Sequence, residues 1–255
     1  MITFPRKKEA LPSLYETNLK RIYDIAKRNM KIELRGKYLS RPRYNRYLTA
    51  ASNSKDRAKR LYNANIRLAQ AFHPILSQFE VVLRNSLNTV LSAHFTDSDW
   101  IINQKNGFMR DYSLQNSHYF LKSCVQKTES KLQRRGIPIT SGKIISDQTF
   151  GFWLAFFLSH HYSLVGGQPI HIFPHKPAHE NRASIYAKLD KIKDFRNRVN
   201  HCEPICFVGS NIDCNEALNI RTTIYSLIEW IDPNLLPFFE DIDNIQSKAN
   251  QIMQI

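Results

Sequence analysis

Apolar residues recur at helical spacing along most of this chain, and that periodicity constrains its fold more than any other feature. The pattern is clearest over 182–201, where one side of a predicted helix carries five apolar residues: Ile185, Leu189, Ile192, Phe195 and Val199. Glycine is scarce, at 8 of 255 residues, which argues against β-sandwiches and glycine-rich phosphate loops. The sequence therefore predicts an all-α domain.

Further helices are predicted over 13–30, 54–95, 117–135 and 215–231, and in a short tail after Phe239. The almost continuously apolar stretch 148–162 is predicted as a helix or a core segment. Loops are predicted where polar, glycine or proline residues interrupt the pattern: at Arg41-Pro42, over 96–116 and over 165–181. Pro74 lies inside the second predicted helix and removes a backbone hydrogen bond, so a kink or a break is expected there.

The charge is concentrated near the N-terminus. The chain has 36 Lys and Arg against 22 Asp and Glu, a net charge of +14. Residues 1–70 hold 18 basic against 5 acidic residues, whereas 71–255 hold 18 against 17. We therefore divide the chain into a basic N-terminal segment, 1–53, made of a helix and a loop, and a helical domain, 54–255.

Basic residues alternate with tyrosines in the densest part of this segment, Lys27 to Tyr47. Basic side chains neutralise phosphates and aromatic rings stack on bases, so the mixture suits RNA or single-stranded nucleic acid. We select as RNA-binding candidates Lys37, Arg41, Arg43 and Arg46 and, from the helical domain, Arg198. The alternative is a solvated helix face followed by a basic loop.

Several other classes of protein are disfavoured. No apolar run approaches the roughly 18 residues of a membrane span, and no apolar segment of a signal peptide follows the first charges, so a cytoplasmic protein is expected. The possible zinc ligands Cys202, Cys206, Cys214 and His201 lack the spacing of paired zinc knuckles. Prolines interrupt the histidines at 171, 175 and 179. We predict no metal and no cofactor.

The stretch with a chemical signature is Arg196 to His201, which reads R-N-R-V-N-H. An R-x4-H spacing alone is weak evidence, but the adjacent Asn197 and the position at a helix end make it more specific. RNA carries its own nucleophile, the 2′-hydroxyl, so cleavage needs a proton-transfer group and a cation near the phosphorus. His201 fits the first role and Arg196 the second, while Asn197 and Asn200 could hold the histidine or the phosphate.

Helix geometry complicates this assignment. At 100° per residue, Arg196 falls within the apolar stripe, and His201 lies about 140° further round the helix. Either the helix end unwinds or a second copy of the helix supplies the other group. The structural alternative is that Asn200 and His201 merely end the helix and Arg196 is an ion-pair partner.

Glu80 and Arg84 stand four residues apart on the predicted helix 54–95. They could pair with each other, or Glu80 could face Arg196 across the bundle and orient it. We consider both residues as supporting members of the site.

Three blocks of the sequence resemble the Abi-like (abortive infection) family of the HEPN superfamily: Ala69–Asn88, Gln148–Phe157 and Arg196–Ile205. The later stretch Ile228–Leu235 also fits, so the resemblance spans about residues 60 to 240. The family commonly has His where Cys202 stands, a departure beside the motif and not within it.

The resemblance implies a HEPN-like helical bundle with additional N-terminal helices that forms a homodimer and places two R-x4-H motifs in one cleft. It implies a metal-independent endoribonuclease that acts as a toxin or anti-phage effector, with Arg196 and His201 as the family's catalytic pair and Asn197 as its accompanying polar residue. A regulatory RNA or an antitoxin, protein or RNA, is an implied partner. Some relatives are inactive, so the alternatives are a non-catalytic RNA- or protein-binding module and an all-α structural protein with a basic arm.

Overall fold

The computed structural model describes residues 39–255, and these fall into two compact units with the boundary between Tyr62 and Asn63. The predicted helix 13–30 and the candidate Lys37 lie outside the described residues. The predicted boundary at 53/54 and the boundary seen here both fall close to the start of one long helix, which crosses from the first unit into the second.

The first unit contains helix α1, Arg41–Ala50. The prediction of a loop at Arg41-Pro42 is wrong, because the helix begins there. Proline is tolerated in the first turn of a helix, where its missing N–H has no intrahelical partner to lose. Tyr47 is buried and meets the ring of Tyr62 edge to face, with ring centroids 5.2 Å apart.

Helix α2, Lys55–Phe95, runs without a break through Pro74. The predicted break at this proline is therefore wrong, and the other expectation, a kink, stays a prediction. Pro74 itself is exposed, while Phe72 and Ile75 on either side are fully buried. A proline inside a helix costs about 3 kcal/mol, and packing of the flanking apolar face offsets that cost.

The rest of the second unit is built from shorter helices. The α-helices are α3 (Trp100–Asn103), α4 (Phe120–Arg134), α5 (Ser141–Asp147), α6 (Phe150–Ala155), α7 (Ser159–Leu164), α8 (Arg182–Asn200), α9 (Asn215–Ile231), α10 (Leu236–Ile242) and α11 (Ile245–Met253). Four 3-10 helices span Phe108–Arg110, Tyr112–Ser117, Gln168–Ile172 and Pro233–Leu235. Strands β1 (Phe207–Val208) and β2 (Asn211–Ile212) pair antiparallel, Phe207 opposite Ile212.

Two predicted loops are only partly correct. Residues 96–116 include α3 and 3-10 turns, and 165–181 include the 3-10 helix Gln168–Ile172. These pieces are too short to show a helical period in sequence. The apolar stretch 148–162, predicted as a helix or a core segment, contains the two short helices α6 and α7, and almost all of its side chains between Phe150 and Phe157 are buried.

Helices α8 and α9 confirm the predicted long helices. Asn181 begins α8 with a capping box, in which its side chain accepts from the N–H of Ser184 and the Ser184 hydroxyl accepts from the N–H of Asn181. All five residues of the predicted apolar stripe of α8 are buried. The stripe packs on α2 through Phe72 and Phe195, whose ring centroids are 4.7 Å apart.

The described chain is thus mostly helical, and its one sheet is the two-stranded hairpin. This confirms the predicted all-α class. Among residues 39–255 no helix is both long and apolar enough to cross a membrane.

Candidate functional site

Arg196 lies on the buried side of α8 and forms an ion pair with Glu80 of α2, with 2.8 Å between Nη2 and Oε2. Both side chains are largely withdrawn from solvent, at 29% exposure for Arg196 and 14% for Glu80. A guanidinium within an apolar stripe needs such a partner, since an unpaired buried charge is costly. Of the two pairings that the sequence left open for Glu80, the structure has the one across the bundle.

Arg84 follows Glu80 by one turn of α2, on the same face. Its Nε is buried and has no hydrogen-bond partner within residues 39–255. No ion pair joins Glu80 to Arg84 in the same part of the chain. The three side chains thus combine two cations with one carboxylate and leave one N–H donor unused.

His201 ends α8 and is exposed. Its backbone N–H donates to the carbonyl of Asn197 at 2.9 Å, so the helix does not unwind before the histidine. The next two residues close a Schellman motif: the N–H of Cys202 donates to the Val199 carbonyl at 3.1 Å, and that of Glu203 to the Arg198 carbonyl at 2.9 Å. These backbone hydrogen bonds therefore fix the main chain at His201.

Cys202 occupies the left-handed position of this motif, with φ of 53°. Glycine usually stands there, because a Cβ makes the left-handed conformation unfavourable by about 1–2 kcal/mol. The chain retains this conformation directly beside His201.

The segment after the motif is anchored to α2. The N–H of Ile205 donates to the side-chain oxygen of Asn65 at 2.9 Å, and Asn65 is only 3% exposed. Sequence reasoning missed Asn65. A single polar residue on the predicted apolar side of a helix was the available signal, but it does not reveal a partner 140 residues away.

Arg198, a predicted RNA-binding residue, is engaged within the fold. Its guanidinium donates to Glu216 on α9 at 2.6 Å and to the carbonyl of Pro204 at 2.9 Å. These contacts join the end of α8 to the start of α9 and hold the segment between them. In this structure Arg198 serves mainly as a structural tie.

The structure brings Glu80 and Arg196 together and sets His201 apart from them. Because α8 stays regular up to its cap, the angle of about 140° between Arg196 and His201 holds. Asn197 and Asn200 are both exposed. One copy of the helix thus presents the cation and the histidine in different directions.

The N-terminal candidates lie on α1 in the first unit. Arg41 is exposed, and Arg43 and Arg46 are half-buried. No group of three or more His, Cys, Asp or Glu side chains within residues 39–255 is placed to hold a metal ion.

The largest shifts in pKa occur away from the motif. Burial, together with the neighbouring His160, lowers the pKa of His161 to about 4. Burial and the adjacent Asp213 raise the pKa of Cys214 to about 11. Burial and a hydrogen bond to Asp243 raise the pKa of Tyr225 well above its usual range. The last two groups lie in packed contacts of α9 and indicate structure, whereas His161 lines a cavity.

Comparison of the chain with protein-family models, with curated proteins and with solved structures found no match in any of the three.

Proposed function

We propose that the protein is a metal-independent endoribonuclease of the HEPN type, acting as a toxin or anti-phage effector. Arg196 and His201 from two copies of the chain would form the catalytic site. The proposal draws on the chemistry of these residues and on the resemblance of three sequence blocks to the Abi-like family.

The observation that carries the proposal is the placement of Arg196 and His201 on one regular helix. Arg196 is fixed by Glu80, and His201 is exposed at the helix end. Since a regular helix directs the two side chains about 140° apart, one copy does not aim both at the same phosphate. A twofold axis near the end of α8 would bring the histidine of one copy towards the arginine of the other.

The proposed reaction needs only these groups and the RNA. A histidine removes the proton of the 2′-hydroxyl, the 2′-oxygen attacks phosphorus, and the bond from phosphorus to the 5′-oxygen breaks. The imidazolium formed in this way gives the same proton to the leaving 5′-oxygen. The products are a 2′,3′-cyclic phosphate and a 5′-hydroxyl. Arg196 stabilises the charge that develops on the phosphorane oxygens.

Glu80 is a positioning residue in this scheme, since it fixes the guanidinium that meets the phosphate. Arg84 adds a second cation one turn away, and its unused buried N–H suits an anionic ligand. Two arginines against one carboxylate give this group of three side chains a net positive charge. The basic N-terminal segment would hold the RNA or a regulatory RNA or antitoxin.

Cleavage of labelled tRNA and mRNA in EDTA tests the proposal. Wild type should leave 2′,3′-cyclic phosphate ends, and His201→Ala should be slower by roughly 10²–10⁴-fold, the range for loss of a general acid or base. The exposed His171 offers a matched control, since His171→Ala should cleave as wild type does. RNA binding without cleavage by the folded wild type would instead indicate a non-catalytic binding module.

Mixing two inactive variants tests the composite site. Arg196→Ala retains His201, and His201→Ala retains Arg196, so a mixed dimer regains one complete site. After exchange of subunits at equal amounts, about a quarter of the wild-type activity should return, because half the dimers are mixed and each has one of its two sites intact. A site formed within a single chain would give no recovery.

A further inference from the structure

A second feature of the same unit is a cavity of about 450 Å³ between α6, α7 and α8. Its walls are mostly apolar and include Leu154, Ala155 and Leu158. Two aromatic side chains also line it, Phe120 and Tyr186, and Phe120 is 38% exposed. The volume lies within the range of roughly 300–1,000 Å³ that is usual for small-molecule sites.

His161 lines this cavity and has a ring nitrogen without a hydrogen-bond partner among residues 39–255. Its side chain is fully buried and lines the cavity. Its Nδ1 lies 3.0 Å from the carbonyl oxygen of Ala155, so Nδ1 carries the proton and donates. Its Nε2 is buried and has no hydrogen-bond partner within residues 39–255. An uncharged imidazole in this tautomer presents Nε2 as an acceptor, and leaving that acceptor unpaired is unfavourable.

The low pKa of His161, about 4 because of burial and of the adjacent His160, keeps the ring uncharged at neutral pH. Nε2 is therefore a hydrogen-bond acceptor, which pairs with a hydrogen-bond donor of a ligand and not with an anion. His160 is exposed, and its ring centroid is 4.3 Å from that of His161. An exposed side chain changes rotamer at small cost, so a turn of His160 would open a path to the buried ring.

The cavity is close to the proposed catalytic arginine. Lys193 lines the cavity and precedes Arg196 by three residues, a rise of about 4.5 Å along α8. On the other side, Phe150 at the start of α6 packs on Phe79, with ring centroids 6.2 Å apart, and Phe79 directly precedes Glu80. The cavity and the Glu80–Arg196 ion pair are therefore neighbours on the same helices.

We propose that this cavity binds a nucleobase that carries an exocyclic amine, with Nε2 of His161 accepting a hydrogen bond from that amine. The apolar walls and the two aromatic rings suit a flat heterocycle, which proteins hold by stacking and by hydrogen bonds to the base edge. The inference deepens the proposed function by placing a base beside the scissile phosphate, and it rests on that function only for the source of the base.

Binding of free mononucleotides to the full chain tests the inference without requiring cleavage. AMP and the purine ribonucleoside monophosphate without the 6-amine form a matched pair, and calorimetry measures both. AMP should bind saturably, and the purine analogue about fivefold more weakly, as expected for one lost hydrogen bond. Equal affinities, or no saturation by AMP at millimolar concentration, would overturn the assignment.

Two variants locate the binding in the cavity. His161→Phe keeps the ring volume and removes the acceptor. This variant should therefore bind AMP and the purine analogue with equal affinity. Gly151→Leu adds a side chain at a residue that lines the cavity and leaves the His161 acceptor in the sequence; a Cβ at Gly151 meets only the Thr149 hydroxyl within 4 Å, at 3.8 Å. This variant should weaken both nucleotides strongly while circular dichroism and unfolding stay native. Unchanged binding in a folded Gly151→Leu would overturn the proposal.

Cleavage of RNA then separates the two sources of the base. If the cavity holds a base of the substrate, His161→Phe should change the base preference beside the cleaved bond. If it holds a free nucleotide, AMP should alter the cleavage rate and leave that preference as it is. Nucleotide binding without any RNA cleavage would refute the proposed function alone, and cleavage without nucleotide binding would refute this inference alone.

Discussion

Arg196 and His201 stand five residues apart on one helix, and the structure holds them by opposite means. Arg196 lies on the packed side of α8 and is fixed by a side chain of another helix, Glu80. His201 lies at the exposed end, and backbone hydrogen bonds of the helix cap fix its main chain. The arginine is therefore sensitive to tertiary packing, whereas the histidine depends on how the helix ends.

This difference indicates how a single helix could serve a composite site. In the proposed site, the half-buried Arg196 is held by Glu80, and the exposed His201 would meet the RNA together with the second copy. Substitutions around Arg196 and around His201 are therefore expected to have different consequences. The following experiments test this expectation, beginning with the largest expected effect.

The first prediction concerns acid pH, at which unfolding would lower the cleavage rate and could be mistaken for protonation of His201. Burial and the neighbouring His160 hold the pKa of His161 at about 4, below the value of about 6.5 for an unfolded chain. The unfolded state binds this proton first, so stability should fall as pH drops from about 6.5 to 4, by about 3 kcal/mol in all. Above pH 6.5 the residue should contribute no pH dependence.

Urea unfolding across this range, for wild type and for His161→Phe, isolates the effect. The difference between their free energies of unfolding should change with pH between about 4 and 6.5. The exposed His171 provides the control, since His171→Gln should follow the wild-type curve. Parallel curves for wild type and His161→Phe would show that a group other than His161 causes the change of stability with pH.

The second prediction concerns the anchor that follows His201. Asn65→Ala removes the acceptor for the buried N–H of Ile205. A buried donor left unpaired costs about 1–3 kcal/mol, so the free energy of unfolding should fall by about 2 kcal/mol. Ala64→Ser, a change at the neighbouring half-buried position, is the control and should have little effect.

Cleavage by Asn65→Ala then tests whether the anchor matters for the histidine. If backbone hydrogen bonds of the cap alone position His201, the folded variant should cleave at nearly the wild-type rate. A large loss of activity without unfolding would mean that the segment after the cap also positions the histidine. The difference between Arg196 and His201 would then be smaller.

The third prediction concerns Arg196 and its ion-pair partner Glu80. Glu80→Ala leaves a half-buried guanidinium without its carboxylate, and should lower stability by about 1–2 kcal/mol because the pair is partly exposed. Cleavage should fall about tenfold, since a poorly positioned cation stabilises the phosphorane less. Glu80→Gln keeps a hydrogen-bond acceptor and should restore part of the rate.

The kinetic pattern distinguishes positioning from simple destabilisation. At a temperature at which both proteins are fully folded, the loss should appear in kcat more than in KM, because the arginine acts most strongly on the transition state. A folded Glu80→Ala variant with wild-type kcat would show that Arg196 needs no orienting partner.

The sequence predicted the helices with long apolar stripes and the motif on α8, because both are local patterns. It could not choose a partner for Glu80, since Arg196 is remote along the chain and i,i+4 pairing with Arg84 was equally possible. Nor could it find Asn65 or the unpartnered His161, whose significance depends on burial. The predicted loop at Pro42 and the predicted break at Pro74 were wrong, because the first turn of a helix, or packing around an exposed proline, accommodates proline.

The smallest expected effect belongs to Cys202, which holds the left-handed turn beside His201 at φ of 53°. Cys202→Gly relieves the cost of a Cβ in that conformation, and the greater flexibility of glycine in the unfolded chain cancels part of the gain. A net stabilisation of about 0.5–1 kcal/mol is expected in urea unfolding. Cys202→Ala keeps the Cβ and should leave stability within about 0.5 kcal/mol of wild type.

Both variants should cleave RNA as wild type does, because the Schellman hydrogen bonds that position His201 are formed by the backbone and survive either change. Activity lost in Cys202→Ala and in Cys202→Gly alike would assign a role to the thiol itself. Activity lost only in Cys202→Gly would show that the histidine needs a stiff cap. In that case His201 would be as tightly constrained as Arg196, and the two residues would differ only in the contacts that constrain them.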